Sequence, residues 1–415
     1  MERLHGKNLL GINGAGRIGK LTIWNHLLNK HFGGLVVNVG RGVGKNLEAL
    51  IHNLSNDSTY GSLSNFLYGH SGKKCEIKII DSEQNLAEID GMPVKFLTTQ
   101  RNPKDINWAG HNVRLVVDCT GAFLDPTVPA ENPKGSLRGH LEAGADKVIA
   151  SAPFKIKDST LKMPTDSSIM VYGINHLDFD ARKHHVLSAA SCTTTGLAHM
   201  MLPLLERPET SNILTAGMST IHASTSTQSI LDAVPSTGTS DLRKSRSVFN
   251  NIIITSTGAA KALEKIIPEV QRIGFMADSV RIPTNTASLI ILNITFQSPL
   301  NEIGEPVITR EYLNQIYKET SEGAGKGILE YSEEQNVSAD MIGRRAAIVI
   351  EGVETHTRTG FMAINPDLLQ NFGIELKQDI MIPVCHAKIF GWYDNEFGSY
   401  VNMLGKLTEY VDKKM

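Results

Sequence analysis

The chain has 415 residues, of which 41% are hydrophobic and 20% charged, and its formal net charge at neutral pH is −2. This length exceeds the usual limit of a single hydrophobic core, so we expect two domains. The near-zero net charge gives no support for a dedicated nucleic-acid site or for binding to an anionic membrane.

The four cysteines, Cys75, Cys119, Cys192 and Cys385, are far apart in the chain and have neither disulfide-framework nor metal-ligand spacing. No apolar stretch reaches the roughly 20 residues that cross a bilayer. These features predict a cytoplasmic protein without a metal site.

The beginning of the chain predicts a doubly wound parallel sheet. An apolar strand at 8–12, a glycine-rich turn, a helix with its apolar face at 21–28 and a second strand at 34–39 form a β-α-β unit. Further elements are expected as strands at 94–97, 113–117 and 147–150 and as a short helix at 137–143.

The glycine turn has the spacing Gly14-x-Gly16-x-x-Gly19, which in this strand-turn-helix context favours dinucleotide binding. Such sites use an acid at the end of the second strand to hold the ribose hydroxyls. Here that position is occupied by Val39, followed by Gly40 and Arg41. Without an acid there is no repulsion of a 2′-phosphate, and Arg41 is placed to pair with one. This favours NADP over NAD. The alternative is that Arg41 is a solvated loop charge.

Cys192 lies between an apolar run at 185–190 and an apolar helix at 197–205, at the expected helix N-terminus. A helix N-terminus favours a thiolate, and His222, at the end of a strand predicted at 214–222, is a candidate base. These positions predict a catalytic thiol. The alternative is a small buried hydrophobe, as most free cysteines are.

The second half predicts an α+β domain with a large, mostly antiparallel sheet. Its elements are expected as strands at 288–296 and 346–350, a helix at 309–320 and a terminal helix at 396–414. A Ser/Thr-rich loop at 223–247 holds hydroxyls and guanidinium groups that suit a phosphate monoester. Arg281 is expected just before a strand, and Thr257 and Gly258 just before a helix.

In their order along the chain, these motifs resemble those of the glyceraldehyde-3-phosphate dehydrogenase family. The resemblance rests on residues 11–19, 56–61, 119–123, 188–194, the His222 loop, 256–261, 281–284 and 391–398. It implies a dinucleotide-binding domain at 1–191, a catalytic domain at 192–394 and a C-terminal helix at 395–415 that returns to the first domain. It also implies a homotetramer.

The resemblance further implies a mechanism. Cys192 attacks the aldehyde of glyceraldehyde 3-phosphate, His222 acts as base and later activates phosphate, and hydride passes to NAD or NADP. Inorganic phosphate then releases the thioester as 1,3-bisphosphoglycerate.

By motif position, the resemblance assigns further residues to binding. Those implied for the cofactor are Asn13, Gly14, Gly16, Arg17, Ile18, Arg41, Arg101, Thr120, Gly121, Phe123 and Asn395. Those implied for the substrate phosphate or the attacking phosphate are Ser191, Thr193, Thr225, Thr227, Arg243, Arg246, Thr257, Gly258 and Arg281.

The chain departs from the family pattern at several positions. The family has an acid at Val39, Asn at Thr195, Cys at Gly196 and Tyr at Ser399, with Tyr400 adjacent here. Extra residues are expected near 124–136 and 339–385. Alternative functions are erythrose-4-phosphate dehydrogenase, an inactive relative that acts as a binding protein, and a Cys/His acyl hydrolase.

Overall fold

The structure is a computed structural model that describes residues 4–235, 237–375 and 380–415. It divides into two compact units, the first comprising the chain up to Thr195 together with Glu396–Met415 and the second Gly196–Asn395. Residue 236, in the predicted loop 223–247, and residues 376–379, in the expected extra segment 339–385, lie outside the described residues.

Within the described ranges, the strands are β1 Leu9–Asn13, β2 Gly34–Asn38, β3 Asn56–Asp57, β4 Gly61–Ser62, β5 Ile77–Asp81, β6 Leu86–Ile89, β7 Met92–Leu97, β8 Val113–Asp118, β9 Lys147–Ala150, β10 Ser167–Ile169, β11 Val186–Ser188, β12 Ile213–Ala223, β13 Ile253–Ser256, β14 Gly274–Ile282, β15 Ser288–Gln297, β16 Leu329–Ser332, β17 Ile348–Glu351, β18 His356–Ile364 and β19 Ile380–Tyr393. The α-helices are α1 Arg17–Asn29, α2 Leu47–Leu54, α3 Leu63–Tyr68, α4 Arg138–Glu142, α5 Cys192–Leu205, α6 Pro208–Ser211, α7 Ala259–Ile266, α8 Arg310–Glu322, α9 Pro366–Gln370 and α10 Met403–Lys414.

The first unit is built on a sheet with the strand order β10-β11-β9-β8-β1-β2-β7-β6-β5. The strands from β10 to β7 pair in parallel, whereas β6 and β5 form an antiparallel edge. Every residue of β1 and β2 is buried, as parallel strands covered on both faces require. This confirms the predicted Rossmann-type sheet and places the ends of β1, β2 and β8 side by side.

The second unit is built on a sheet with the order β13-β14-β12-β15-β19-β17-β16, in which β18 also pairs with β19. Most pairs are antiparallel, but β12 pairs with β14 and β16 with β17 in parallel. Along β15 buried and half-exposed residues alternate, which is the pattern of a sheet covered more fully on one face. The predicted α+β architecture is therefore confirmed, with a mixed sheet.

The structure adds one strand and refines one helix. Arg281 precedes β15, as expected, but it lies inside β14, a strand that was not predicted from the sequence. The terminal helix expected from 396 begins as a π-helix at Phe397–Asn402, and only Met403–Lys414 is α-helical. A π-helix accommodates an additional residue within a helical segment and often lies near a functional site.

Candidate active site

The glycine turn between β1 and α1 has no room for side chains. A Cβ on Gly14, whose φ is +94°, would lie 3.0 Å from Thr120 Cγ2, and a Cβ on Gly19 would lie 1.9 Å from the carbonyl oxygen of Gly14. Gly16 is the N-cap of α1, and no side chain of the turn caps this helix. The first N–H groups of α1 are therefore suited to a pyrophosphate, which fits a dinucleotide.

A cleft of about 600 Å³ opens beside this turn. It brings together six residues assigned to the cofactor from the sequence, namely Asn13, Gly14, Arg41, Arg101, Thr120 and Phe123. Asn38, Val39 and Lys134 line it as well. The sequence interpretation did not include Lys134, because nothing in the spacing connects residue 134 with the end of β2.

A buried polar network holds two of the cleft residues, Asn13 and Thr120, in place. Asp118 Oδ2 accepts a hydrogen bond from Asn13 Nδ2 at 2.7 Å, and its Oδ1 accepts from the hydroxyl of Thr120 at 2.6 Å. His140 Nδ1 accepts from Trp108 Nε1 at 2.9 Å, so its Nε2–H faces Asp118 Oδ2 at 3.0 Å. The sequence interpretation missed Asp118 and His140, and the aspartate at the end of a predicted strand was the available signal.

Asn38 contributes a further polar group to the cleft. Its Nδ2 donates to Asn13 Oδ1 at 2.8 Å and to the carbonyl of Gln100 at 3.0 Å. Its Oδ1 is buried without a hydrogen-bond partner. Asn38 therefore joins the end of β2 to Asn13 and to the backbone at Gln100 behind the cleft.

Arg17 begins α1, and its side chain is held by carboxylates. Its guanidinium forms ion pairs with Asp57 and with Glu396, and Nε donates to Glu396 Oε1 at 3.1 Å. The bonding to Glu396, ahead of the opposing desolvation, raises the pKa of Arg17 above its ordinary value. We therefore place any contact of Arg17 and Ile18 with a cofactor at their backbone N–H groups, at the start of the helix.

Cys192 is the first residue of α5 and is half-buried. Ala190, two residues earlier, has φ +56°, an uncommon conformation for a residue with a Cβ. Ser191 Oγ accepts from the backbone N–H of Thr194 at 3.2 Å and so caps the helix. The thiol therefore lies at the helix N-terminus that the sequence predicted.

Two residues of the C-terminal π-helix hold this turn. Ser399 Oγ donates to the carbonyl of Cys192 at 2.8 Å, and the Tyr400 hydroxyl donates to the carbonyl of Ala190 at 3.2 Å. The departure from the family pattern at 399 thus leaves both hydroxyls bonded to the nucleophile turn. The sequence interpretation did not assign either residue to the site.

In the second unit, the parallel pairing of β12 with β14 places His222 opposite Arg281. Arg281 Nη1 contacts His222 Nδ1 and donates to the carbonyl of Ala223 at 3.0 Å, while His222 Nδ1 lies 2.7 Å from the same carbonyl. One ring nitrogen cannot both donate to the carbonyl and accept from the guanidinium. We assign the proton to Nδ1, because a carbonyl accepts hydrogen bonds only and 2.7 Å is a full hydrogen-bond distance.

Burial, followed by the positive charge of Arg281, lowers the pKa of His222 from its ordinary 6.5 to about 3. The imidazole is therefore neutral at pH 7. A neutral imidazole is the form that accepts a proton.

The Ser/Thr-rich loop brings Thr225 and Thr227 together, with their hydroxyl oxygens 2.9 Å apart, and Gln228 Oε1 accepts from the Thr225 hydroxyl at 2.9 Å. By contrast, Arg243 pairs with Asp241 at 2.8 Å and Arg246 with Asp232 at 2.9 Å. Both guanidinium groups are thus engaged by carboxylates of their own loop. Their assignment to phosphate stays a prediction.

The remaining predicted residues of this unit lie at element ends. Gly258 is the N-cap of α7, and Thr257 Oγ1 accepts from the N–H of Ala259 at 3.2 Å. Asn395 is buried, and its Oδ1 accepts from Ser288 Oγ at 2.9 Å. Ser288 Oγ in turn accepts from the N–H of Ala223 at 3.1 Å, which connects Asn395 to the end of β12.

No group of three or more His, Cys, Asp or Glu side chains in the described ranges is arranged to hold a metal ion. None of the helices in these ranges combines the length and the apolar character needed to cross a membrane.

The glycine turn, the parallel sheet and the cleft define a dinucleotide-binding protein. Two family models match the chain, the NAD binding domain of glyceraldehyde 3-phosphate dehydrogenase at residues 9–126 and its C-terminal domain at 191–365. The chain is 34% identical over 405 residues to glyceraldehyde-3-phosphate dehydrogenase 1 of Bacillus subtilis, with 98% of each chain covered. It is 35% identical over 390 residues to the glyceraldehyde-3-phosphate dehydrogenase of Lyophyllum shimeji, covering 94% of this chain and 93% of the relative.

The chain therefore belongs to the glyceraldehyde-3-phosphate dehydrogenase family. It is an NAD(P)-dependent oxidoreductase that acts on an aldehyde group.

Proposed function

We propose that the protein catalyses the reversible, phosphorylating oxidation of glyceraldehyde 3-phosphate to 1,3-bisphosphoglycerate. The observation that carries this proposal is Cys192 at the first residue of α5, within the range matched by the family's C-terminal domain. The positive end of the helix dipole favours the thiolate there, and the thiolate is the nucleophile. Attack on the aldehyde carbon forms a thiohemiacetal on Sγ.

His222 acts as the base in this proposal. With its Nδ1 proton directed at the Ala223 carbonyl, Nε2 is the ring atom that accepts the proton of the thiohemiacetal hydroxyl. The neutral state of the ring, caused by burial and by Arg281, supports this role. A bound nicotinamide cofactor supplies the hydride acceptor, and the Cys192 adduct becomes a thioester that inorganic phosphate cleaves.

Arg281, Thr225 and Thr227 bind the phosphate of the substrate. A guanidinium and adjacent hydroxyls are the donors that a phosphate monoester requires, and the two threonine oxygens are already 2.9 Å apart. Ser191, Thr193, Thr257 and Gly258 hold the attacking phosphate, with Arg243 or Arg246 near it but still paired with an aspartate of the loop. Asn395 orients the carboxamide of the cofactor.

The cofactor in this proposal is NADP in preference to NAD. Val39 leaves the end of β2 without a carboxylate, and Arg41 lines the same cleft. We further propose a cytoplasmic homotetramer, as is usual in the family.

The proposal is tested by measuring turnover of glyceraldehyde 3-phosphate with each cofactor, with and without inorganic phosphate. We expect turnover that depends on phosphate and is faster with NADP at limiting cofactor. Erythrose 4-phosphate is the comparison substrate. A rate that is unaffected by phosphate and higher with erythrose 4-phosphate contradicts the proposal and supports a non-phosphorylating dehydrogenase.

A further inference from the structure

The cofactor cleft has an unusual charge. Its ionisable lining side chains are Arg41, Arg101 and Lys134, all cationic, and no carboxylate is among the residues that line it. The chain as a whole has a net charge of −2, so this positive charge is local. Arg41 and Lys134 are exposed, and neither forms an ion pair within the described ranges.

Lys134 lies between the ranges of the two family models, 9–126 and 191–365. The match to the NAD binding domain ends at residue 126, and residues 124–136 were expected from the sequence to be additional.

The segment 124–136 is held firmly against the first unit. Asp125 accepts from the N–H of Lys157 at 3.0 Å, and Arg138 Nε donates to the carbonyl of Pro126 at 2.8 Å. At the other end, Gly135 has φ +83°, and a Cβ there would lie 2.6 Å from Phe123 Cε1. These contacts hold both ends of the segment, and Lys134 lies next to the second of them.

We propose that segment 124–136 is a cofactor-selecting loop, in which Lys134 acts with Arg41 and Arg101 to bind a phosphate monoester on the adenosine ribose. The ligand class is a 2′-phosphorylated adenosine nucleotide. In such a sheet, the residue at the end of the second strand contacts the adenosine ribose. Here that residue is Val39, which lines the same cleft as the three cationic side chains. A phosphate dianion gains from uncompensated cations, whereas a free 2′-hydroxyl gains little. This inference rests on the proposed function only for the identity of the cofactor.

The test is calorimetric titration of the full-length protein, without cofactor, with 2′-AMP and with 5′-AMP at pH 7.5 and low salt. We expect Lys134→Met to weaken 2′-AMP binding by about fivefold and to leave 5′-AMP within about twofold, as one lost charge-assisted contact predicts. Lys134→Arg should retain the affinity. The matched control is Lys155→Met, because Lys155 is exposed, lies in the same unit and does not line the cleft.

A purely structural role for Lys134 would weaken both nucleotides together. The salt dependence of 2′-AMP binding should also become shallower in Lys134→Met, because a screened charge has been removed. Equal losses for both nucleotides, or no loss for either, would overturn the proposal. The titration does not require Cys192 and can be repeated in Cys192→Ala, so its outcome is independent of whether the aldehyde oxidation is observed.

Discussion

The cations of the two units differ in their partners. In the cleft of the first unit, Arg41 and Lys134 have no carboxylate partner among the described residues. In the Ser/Thr-rich loop of the second unit, Arg243 and Arg246 are each paired with an aspartate of that loop. Uncompensated cations can select a ligand by its charge, whereas paired ones must first lose a partner. We therefore assign selection of the cofactor to the first unit.

Removal of the Cys192 thiol should abolish turnover without affecting nucleotide binding. Cys192→Ser should lower turnover by at least about 10³-fold, because the nucleophile is lost, while nucleotide binding in the cleft is unchanged. Turnover and 2′-AMP titration on the same preparation measure both. Cys75→Ser is the control, since desolvation raises the pKa of Cys75 to about 11 and the thiol is unreactive at neutral pH. Substantial turnover in Cys192→Ser would refute the assignment of the nucleophile.

A carboxylate introduced at the end of β2 tests whether charge in the cleft selects the cofactor. Val39→Asp should change the ratio of kcat/KM for NADP and NAD by at least about tenfold in favour of NAD, because a carboxylate repels a 2′-phosphate and accepts from ribose hydroxyls. Steady-state kinetics with both cofactors measure the ratio. Val39→Asn, of similar shape but neutral, is the control. An unchanged ratio would show that charge at the end of β2 does not select the cofactor.

Much of the first unit was predictable because its signals are local. The apolar runs that became β1 and β2 are buried throughout, and the glycine turn joins them directly to α1. Lys134 was not predictable, because it reaches the cleft only through the fold of a long connection. Thus the turn could be located from spacing, but the charge of the cleft could not.

In the second unit, His222 could be singled out from the sequence, but the side chains around it could not. Every residue of β14 except Ser279 is half-exposed or exposed, and its apolar residues do not alternate with polar ones, so the strand gives no clear apolar pattern. Its parallel pairing with β12 sets Arg281 against His222, and only the register shows this. The effect of Arg281 on the pKa of His222 therefore could not be derived from the sequence.

Each unit also contains a buried neutral histidine, and both should make the protein sensitive to acid. Burial lowers the pKa of His26 from its ordinary 6.5 to about 3, and neither of its ring nitrogens has a hydrogen-bond partner. Below pH 6.5 the unfolded state binds a proton that the native state refuses, so stability is lost as pH falls from about 6.5 toward 3. One such group contributes a slope of about 1.4 kcal/mol per pH unit.

Chemical denaturation of His26→Leu between pH 7 and pH 4.5 tests whether His26 causes this loss of stability at low pH. We expect the slope of the free energy of unfolding with pH to decrease by up to about 1.4 kcal/mol per unit. The same change at the exposed His52 is the control. A slope equal to that of the unsubstituted protein would contradict the role of His26.

Substitution of a paired arginine in the Ser/Thr-rich loop should have little effect on substrate binding. Arg246→Met should change KM for glyceraldehyde 3-phosphate and for inorganic phosphate by less than about twofold, because an exposed ion pair contributes little and this one is already satisfied by Asp232. Arg41→Met is the matched change in the cleft and should weaken 2′-AMP by about fivefold. A larger effect at Arg246 than at Arg41 would reverse the comparison between the two units.

Mass spectrometry can show directly whether the reaction passes through a thioester on Cys192. The protein is first incubated with glyceraldehyde 3-phosphate and NADP in the absence of inorganic phosphate. We predict a 3-phosphoglyceroyl adduct on the peptide that contains Cys192, and its discharge as an acyl phosphate when inorganic phosphate is added. An adduct on another residue, or oxidation of the aldehyde without any adduct, would contradict a thioester on this thiol.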